Sequence, residues 1–514
     1  MGASEKPSED KLRIAPNWLI TALLIFLLAY CLIRLCLTAR SNPFWYDEIV
    51  TRAVAAQTSL AGGMRALLDG VDSHTPFFYL IEFYALRLFK NEEFALRLPS
   101  VLAFAIALVC VFAYAKRRWT EVGALGCAAC LLATTAFQRY ATEARAYSML
   151  LAFIALALVC YDRLPSRIWT IGLGLSLLLA EAVHYYAIIS ILPFIFAELG
   201  HIWLTRSVRW QVWAAIACPI VPLAVTWRFL AAIRSAYGGH FWVHTGLEAV
   251  PLSYGELLSV GPVMGGVVAI ILLAVQGWEV LLTWRRKSVS NTSEAVLRTG
   301  LLSLPLISLF VAILLHVPML PRYVIATELA VALVIGSFRV VPKSIGLIVF
   351  SFLAFNVAIS EAMFWNSFAS LHATRQTVLM ERFIESAGYP ELPVVVAHGL
   401  AFLPLARYGS PELQSRLAYI VDVPKALEYS RTDSIDENLI RLRRYTMIRV
   451  IDFSEFARNH PEFLLFTREL KPDFDWLTPY LAKTARSMEV LAESREGKVY
   501  HVCMKGTAGT STAD

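Results

Sequence analysis

Charged residues are scarce in this chain of 514 residues. They make up 17 % of it, against roughly 25 % in an ordinary soluble domain. Hydrophobic residues reach 57 %, and the mean hydropathy is +0.57. These values exclude a disordered chain and are untypical of a cytosolic enzyme. The formal net charge of +6 is too small for this length to indicate a nucleic-acid partner. The composition therefore indicates a membrane protein with many spans.

Cysteines are few and unfavourably placed for disulfides. Cys503 alone lies in a polar region, so no disulfide framework is expected. Cys127 and Cys130 lie in the middle of an apolar run. We expect them to serve as small residues that allow helices to pack closely, rather than as a redox pair. The other cysteines also lie in apolar runs: Cys31, Cys36, Cys110, Cys160 and Cys218.

Long apolar runs dominate the first 365 residues. A membrane span needs about 20 apolar residues, and about eleven runs approach that length. The first run is too long and begins too polar for a cleaved signal peptide. The expected spans are 16–38, 94–115, 121–138, 146–162, 168–183, 187–204, 210–230, 258–284, 299–317, 322–338 and 344–362.

The run 75–89 decides the topology. It is short and carries Glu82 and Arg87, which favours an amphipathic helix lying in the interface. If it does not span, the basic clusters from Lys116–Arg118 to Arg298 all face the cytoplasm, as the positive-inside rule requires. If it does span, they all face outside. We therefore expect a long external loop, 39–93, with surface helices near 46–58 and 75–90.

The composition changes to that of a soluble domain near residue 365. We expect a transmembrane module over 1–364 and a small extracytoplasmic α/β domain over 365–514. No Gly-rich phosphate loop, nucleophile motif or metal-ligand cluster is evident in the second part. The expected strands are Pro393–Ala397, Leu417–Val421, Phe463–Phe466, Met488–Leu491 and Val499–Met504.

Ionisable residues gather at the external ends of the expected spans. Charges near a membrane are costly and usually functional. A carboxylate there can act as general base towards an acceptor hydroxyl or amine. Arginines can hold a lipid phosphate and stabilise it as it leaves. The pattern predicts transfer of a glycosyl group from a polyprenyl-phosphate carrier. The residues are Asp47, Glu48, His74, Arg97, Glu143, Arg145, His184 and Arg322, with Arg139 nearby.

Each of these residues also has an ordinary structural explanation. Asp47 is a possible helix cap, and Glu48 is placed to pair with Arg52 one turn later. His74 is a possible cap of the surface helix. Arg97 and Arg322 can extend to lipid headgroups. A solvated turn explains Glu143 and Arg145, and a hydrogen-bonded interfacial histidine explains His184.

Four motifs, in order, resemble those of the GT-C integral membrane glycosyltransferases. The similarity covers about 1–365 and is greatest to the branch of protein O-mannosyltransferases and lipid A aminoarabinose transferases (family 39-like). It lies in FWYDE (44–48), DSHTPFFYLIEFYALRLFKNEEFALRLPS (72–100), RYATEARAYSML (139–150) and LPRY (320–323).

This resemblance implies roles for the same positions. Asp47 is expected to be the catalytic base of an inverting displacement, with Glu48 beside it. Arg97, Arg145 and Arg322 are expected to bind the donor phosphate. Supporting roles fall to Glu143, His184 and His74.

The resemblance also implies the partners and the location. Metal-independent chemistry is favoured, although Glu143 and Asp47 are candidate ligands for a divalent ion. The expected partners are a polyprenyl-phosphate sugar, an extracytoplasmic acceptor and membrane lipid. Similarity to bacterial members suggests an inner membrane with a periplasmic site.

Two other functions are consistent with the composition. A lipid or glycolipid transporter should carry ionisable groups near the bilayer midplane and repeated halves. The middle segments of the spans are nearly free of charge, with Glu181 near an outer end as a partial exception, and no halves repeat, so the sequence favours the enzyme. The second alternative is an assembly protein that binds a partner through its α/β domain.

Overall fold

The computed structural model describes residues 17–237, 239–243, 245–336, 351, 355, 357–366, 372–470 and 474–505. Helices dominate up to residue 336, and a mixed sheet with flanking helices follows, as expected for the fold class. Short 3₁₀ turns cover Leu131–Ala133, Tyr140–Thr142 and Pro321–Val324. The helices of the first part are α1 (Asn17–Ser41), α2 (Tyr46–Ala55), α3 (Leu60–Leu68), α4 (Pro76–Leu88), α5 (Glu92–Arg118), α6 (Glu121–Cys130), α7 (Thr135–Gln138), α8 (Tyr147–Tyr161), α9 (Arg167–Val183), α10 (Ala187–Thr205), α11 (Trp210–Ala217), α12 (Ile220–Val225), α13 (Trp227–Tyr237), α14 (Ala249–Leu257), α15 (Pro262–Arg285), α16 (Val289–Leu302), α17 (Leu304–Leu315) and α18 (Thr327–Gly336).

The long helix α5 shows why these apolar runs become helices. The Asn91 side chain caps its start by accepting a hydrogen bond of 2.7 Å from the Phe94 N–H. Two acidic residues occupy its first turn and three basic residues its last turn, which complements the helix dipole at both ends. Between them lies an apolar stretch whose buried face packs against α1, α4, α6 and α8.

Four helices in the described residues are long and apolar enough to cross a membrane: α1, α5, α10 and α15. The number rises to seven if each of three bent helix pairs forms one span. The expected count of eleven spans is therefore not confirmed. Most of the last expected span, 344–362, lies outside the described residues.

Three expected spans are broken rather than straight. Bends of 55°, 64° and 61° separate α6 from α7, α12 from α13, and α16 from α17. In the third pair, α16 begins at Val289, well before the expected start of that span at residue 299. Pro305 lies in the first turn of α17, where its missing N–H is tolerated.

Small residues allow close packing between the spans. Helices α10 and α16 cross at Gly300, where an added Cβ atom would lie 2.9 Å from the Cβ of Pro193. A larger side chain there would force the two helices apart. Such contacts replace the hydrophobic effect as the main source of association between helices in lipid.

Charged side chains do occur inside the helices, and several of them are paired. Arg34 of α1 is 3 % exposed. Its Nε donates to Glu361 at 2.9 Å, and its Nη2 donates to Gln138 at 2.9 Å. Glu198 of α10 pairs with Arg209, and Glu279 of α15 pairs with Arg298. Each of these charges has an opposite partner, as a low-dielectric environment requires.

Three helices, α2, α3 and α4, lie between α1 and α5. Two were expected there, and α3 was not predicted. The 13 residues of α4 extend only about 20 Å at 1.5 Å per residue, too short to cross a bilayer core of about 30 Å. One face of α4 is buried, and Tyr84 and Leu88 on the other are 57 % and 74 % exposed. This two-sided character agrees with a surface helix.

The C-terminal part contains a six-stranded sheet in the order β3-β2-β1-β4-β6-β5. The first four in this order are parallel, and β6 and β5 are antiparallel additions. All five expected strands are found; β3 was missed. The strands are β1 (Val394–Val396), β2 (Leu417–Val421), β3 (Val450–Asp452), β4 (Glu462–Thr467), β5 (Ser487–Ser494) and β6 (Gly497–Cys503), and the helices are His372–Ser386, Gly399–Tyr408, Pro411–Arg416, Val423–Ser430, Ser434–Leu442, Phe453–Asn459 and Leu477–Thr484.

This sheet domain packs directly on α2 and the loop before α4. The buried amide of Asn438 accepts from the Tyr46 hydroxyl at 2.7 Å and donates to the Val71 carbonyl at 2.7 Å. The Phe44 N–H donates to the Tyr408 hydroxyl at 2.8 Å. The C-terminal domain thus fixes the helix that carries Asp47.

Candidate active site

Asp47 and Glu48 lie in the first turn of α2 but face different surroundings. The helix begins after Trp45, whose extended backbone precedes the first turn. Glu48 is 1 % exposed, whereas the side chain of Asp47 is 22 % exposed. The expected alternative of an Asp47 helix cap is wrong, because Trp45 occupies that position. One carboxylate is therefore enclosed and the other is accessible.

Glu48 is held by a buried ion pair with Arg97. The Nε and Nη2 atoms of Arg97 donate to the two carboxylate oxygens at 2.7 and 2.5 Å. The Ala144 N–H also donates to Glu48, at 2.8 Å. Glu48 does not pair with Arg52, which instead binds Glu92 at 2.8 Å. The ion pair joins α2, α5 and the loop that precedes α8.

Arg97 also holds the backbone between α1 and α2. Its Nη1 donates to the carbonyls of Ala39 and Asn42 at 3.1 and 2.6 Å, and its Nη2 donates to that of Pro43 at 3.0 Å. The residue is 3 % exposed. The alternative in which Arg97 extends to lipid headgroups is therefore wrong. All three of its nitrogen atoms are bonded within the protein.

Arg145 forms a second buried ion pair, with Asp72. Its Nη1 donates to Asp72 at 2.9 Å and to the Thr51 hydroxyl at 3.1 Å. The Tyr79 hydroxyl also donates to Asp72. Because Arg145 is 4 % exposed, the solvated-turn explanation is wrong. Asp72 was missed as a candidate, although it begins the DSHTP motif.

Arg322 faces Asp47. It lies in the 3₁₀ turn Pro321–Val324, and its Nη2 is 3.9 Å from the Asp47 carboxylate. The guanidinium lies 5.9 Å from the ring centres of Tyr147 and Tyr323. Its buried Nε has no hydrogen-bond partner among the described residues. Unlike Arg97, Arg322 therefore keeps donors available, and its side chain is 19 % exposed.

Glu143 and Arg139 form a third ion pair beside the residues described above. We call this group of residues the rim. The Nε of Arg139 donates to Glu143 at 2.6 Å. Burial raises the pKa of the Glu143 carboxyl, although the neighbouring Arg139 charge opposes that change. Arg139 lies 5.5 Å from the Trp45 ring, and its side chain is 46 % exposed. It is the most accessible guanidinium of the cluster and was noted only as a neighbour.

His74 and His184 lie behind Arg322 in an aromatic cluster. Their ring centres are 5.6 Å apart, and that of His184 is 5.6 Å from Tyr323. Burial, together with the positive charges of Arg145 and Arg322, lowers the pKa of His184 to about 3. The same causes lower the pKa of His74 well below its usual value. Both rings are therefore neutral at physiological pH. The cap of α4 is Thr75, not His74.

The structure thus places all eight expected residues around one rim. The buried ion pairs and the neutral histidine rings form its enclosed part. The accessible carboxylate of Asp47 and the adjacent guanidinium of Arg322 form its open part. A carboxylate can accept a proton from a nucleophile. A guanidinium can stabilise negative charge that develops on a phosphate. Proton transfer and phosphate departure can therefore occur within one site.

A group of potential metal ligands lies elsewhere, in the sheet domain. Glu462, His501 and Cys503 in the sheet domain are the one group of three potential metal ligands within the described residues. No such group was expected in this domain from the sequence. Adjacent strands create the group, so it is invisible as a spaced motif.

Comparisons with known proteins show similarity in one segment of the sequence and in the fold. Residues 73–227 match the family model described as dolichyl-phosphate-mannose-protein mannosyltransferase. Two crystal structures of ArnT from Cupriavidus metallidurans share the fold. The apo structure has a TM-score of 0.55 and 15 % identity, and the one bound to undecaprenyl phosphate has 0.54 and 15 %. Each alignment covers 94 % of this chain and 98 % of the other. No curated protein sequence matches the chain.

Residues 73–227 thus resemble this family of membrane glycosyltransferases, and the fold of the chain resembles that of ArnT. The matched segment, 73–227, contains His74, Arg97, Glu143, Arg145 and His184. Asp47 and Arg322 lie on either side of it. The open part of the rim is thus assembled from outside the segment that the family model recognises.

Substitution of the two adjacent carboxylates, Glu48 and Asp47, should lower the free energy of unfolding by different amounts. Glu48→Gln leaves Arg97 buried opposite a neutral amide, and breaking a buried pair typically costs about 3–5 kcal/mol. Asp47→Asn alters a partly exposed group and should cost less than about 1 kcal/mol. Thermal unfolding of the detergent-solubilised variants measures both. Equal losses would contradict the division between an enclosed and an accessible carboxylate.

His184 predicts a pH-dependent loss of stability. Its pKa is about 3 when folded and about 6.5 when unfolded, so the unfolded state binds more protons between these values. Stability is therefore retained above pH 6.5 and falls as the pH is lowered towards 3, by up to about 1.4 kcal/mol per pH unit. His184→Gln should make this decline shallower in thermal unfolding experiments. His240→Gln, which changes a histidine whose side chain is 55 % exposed, is the control. An unchanged slope in His184→Gln would contradict the prediction.

Proposed function

We propose that this chain transfers a sugar from a polyprenyl-phosphate-linked donor to an extracytoplasmic acceptor. The acceptor is a glycolipid, a polysaccharide or a protein. The observation that carries the proposal is the 3.9 Å approach of Arg322 to the accessible carboxylate of Asp47. In this reaction Asp47 serves as the base and Arg322 as the main ligand of the donor phosphate.

The donor assignment rests on the cations that retain free donors. Arg322 has an unpartnered Nε and stands on a rim lined by aromatic rings. A guanidinium suits a phosphate because it donates two hydrogen bonds in parallel. The ArnT structure with undecaprenyl phosphate supports a donor of the same kind. Arg139, half exposed over Trp45, is a second phosphate-binding candidate.

The displacement proceeds in one step with inversion. Asp47 removes the proton from the acceptor hydroxyl or amine as that atom forms a bond to the anomeric carbon. The bond between the anomeric carbon and the phosphate oxygen breaks, and the electron pair stays on the phosphate. Arg322 stabilises this charge as it develops. The products are the glycosylated acceptor and the polyprenyl phosphate, with the proton on Asp47.

The remaining residues position these two groups. The Glu48–Arg97 pair fixes the start of α2, and the Arg145–Asp72 pair fixes α2 against the loop before α4. Arg145 also donates to the Asp47 carbonyl at 3.4 Å, which sets the backbone of the base. Glu143 orients Arg139, while the neutral His74 and His184 pack behind Arg322. We therefore propose positioning roles for Arg97 and Arg145 rather than direct contact with phosphate.

The reaction is proposed to occur on the periplasmic side of a bacterial inner membrane. The 27 residues of α5 extend about 40 Å, so its two ends lie on opposite sides of a bilayer core of about 30 Å. Arg97 and the rim lie at one end, and Lys116–Arg118 at the other. The positive-inside rule assigns the basic end to the cytoplasm. The rim and the C-terminal domain then face outwards.

Substitutions at the rim should separate chemistry from donor binding. Asp47→Asn is expected to lower kcat by about 10²–10⁴ because the base is lost, with donor affinity retained. Arg322→Ala should weaken donor binding as well as lower kcat. Transfer assays in vesicles supplied with polyprenyl-phosphate sugar, together with binding of polyprenyl phosphate, measure the two effects.

Arg228→Ala, which removes an exposed arginine of α13, is the matched control and should change neither quantity. Full activity in Asp47→Asn would refute the assigned base. Unaltered donor affinity in Arg322→Ala would refute the assigned phosphate ligand and leave the base assignment to be judged separately.

Thiol labelling tests the proposed side of the membrane. Single cysteines at Lys116 and Glu248, both exposed, are introduced after Cys36, Cys218 and Cys503 are replaced by serine. In whole cells with a permeabilised outer membrane, an impermeant reagent should label position 248 and spare position 116. The reverse pattern would place the rim in the cytoplasm.

A further inference from the structure

Three metal-binding side chain types meet on one face of the C-terminal sheet. In the antiparallel pairing of β4 with β6, Glu462 lies opposite Cys503 and Leu464 lies opposite His501. Residues 501 and 503 share a face because alternate residues of a strand point the same way. Partners in an antiparallel pair also share a face, which places Glu462 on the same side.

The distances between these side chains approach those of a metal site. The two ring nitrogens of His501 face different partners: Nε2 is 3.8 Å from the Glu462 carboxylate, and Nδ1 is 4.0 Å from the Cys503 Sγ. A single ion binds through only one of these nitrogens, so at least one of the other two side chains must move towards it. One ligand atom from each residue gives a set in which no two atoms are more than 4.8 Å apart. Metal–ligand bonds of about 2.0–2.3 Å place tetrahedral ligands roughly 3.3–3.8 Å apart. A side-chain shift of about 1 Å would bring the set to that spacing.

The histidine is held in place but incompletely satisfied. Its ring stacks on Tyr389, with ring centres 5.0 Å apart and planes 9° apart. Its Nε2 is buried and makes no hydrogen bond within the described part of the chain. An imidazole nitrogen without a partner is a costly feature, and a metal ion would satisfy it. Glu462, whose side chain is 57 % exposed, is free to move towards the ion.

We propose that Cys503, His501 and Glu462 bind a zinc ion. Thiolate, imidazole and carboxylate are the ligands that Zn²⁺ prefers. The thiolate and the carboxylate carry two negative charges, which balance the charge of the ion. Cys503 is the last cysteine of the chain and the one cysteine after residue 218, so the domain offers it no disulfide partner.

The fourth coordination position is assigned to Glu489 or water. Glu489 pairs with His501 across β5 and β6, and therefore lies on the same face. With all four ligands the ion would join β4, β6 and the edge strand β5. It would tie the antiparallel end of the sheet together, remote from the residues assigned to sugar transfer.

Zinc binding by the intact protein tests this proposal. The full chain, purified in detergent with a tag that lacks histidine, is stripped with a chelator and titrated with Zn²⁺ alone. We expect one zinc per chain with a sub-micromolar Kd. Cys503→Ser and His501→Gln should each weaken binding by at least about tenfold, because even loss of a group that supports a zinc ligand costs 10–100-fold. Cobalt substitution should give a thiolate-to-metal charge-transfer band that is lost in Cys503→Ser.

Two variants serve as matched controls. His460→Gln changes a histidine of the same domain, and Cys218→Ser changes a cysteine outside it. Both should bind zinc like the unmodified chain. Circular dichroism and sugar transfer by the ligand variants establish that they fold. Absence of zinc binding by the unmodified chain, or equal affinity in folded Cys503→Ser, would overturn the proposal.

Discussion

The buried pair of Glu48 and Arg97 organises the rim of this protein. It joins the start of α2 to α5 and to the loop before α8, and Arg97 also holds the turn after α1 through three carbonyls. A charge at this depth is stable only with a well-oriented opposite partner. The pair thereby orients α2, so that the carboxylate of the preceding residue, Asp47, faces Arg322. The accessibility of one acid depends on the enclosure of its neighbour.

The rim has two parts, one in which the arginines pair with buried carboxylates and one in which the arginine faces a partly exposed carboxylate. Arg97 and Arg145 have carboxylate partners inside the protein, whereas Arg322 retains donors and faces an accessible acid. Binding an anionic lipid headgroup at Arg97 or Arg145 would require an existing buried pair to break. Binding at Arg322 requires no such loss. Preorganised positive charge of this kind suits a reaction in which negative charge collects on a departing phosphate.

Sequence reasoning identified the residues of the rim but not their pairing. Asp47, Arg145 and Arg322 could be assigned to one site from the sequence, because they lie at the same ends of the expected spans and within motifs that resemble one family. The pairing of charges depends on the directions of the side chains, which the sequence does not give. The spacing of four residues suggested that Glu48 pairs with Arg52, whereas its side chain points towards Arg97. Asp72 escaped notice because a single aspartate in a loop carries no periodic signal. Hydropathy likewise cannot show that a span bends, as the pair α16 and α17 does at Ser303. Strand β3 has three residues, which are too few to show an alternating pattern.

The contact between Tyr46 and Asn438 links residues 392 positions apart. Ribosomes release a chain from its N-terminus onwards, so α2 leaves the exit tunnel long before the helix that supports it. During this interval the acidic start of α2 must be sheltered by the early spans alone. The support that Asn438 gives to α2 is therefore available only after most of the polypeptide has been synthesised.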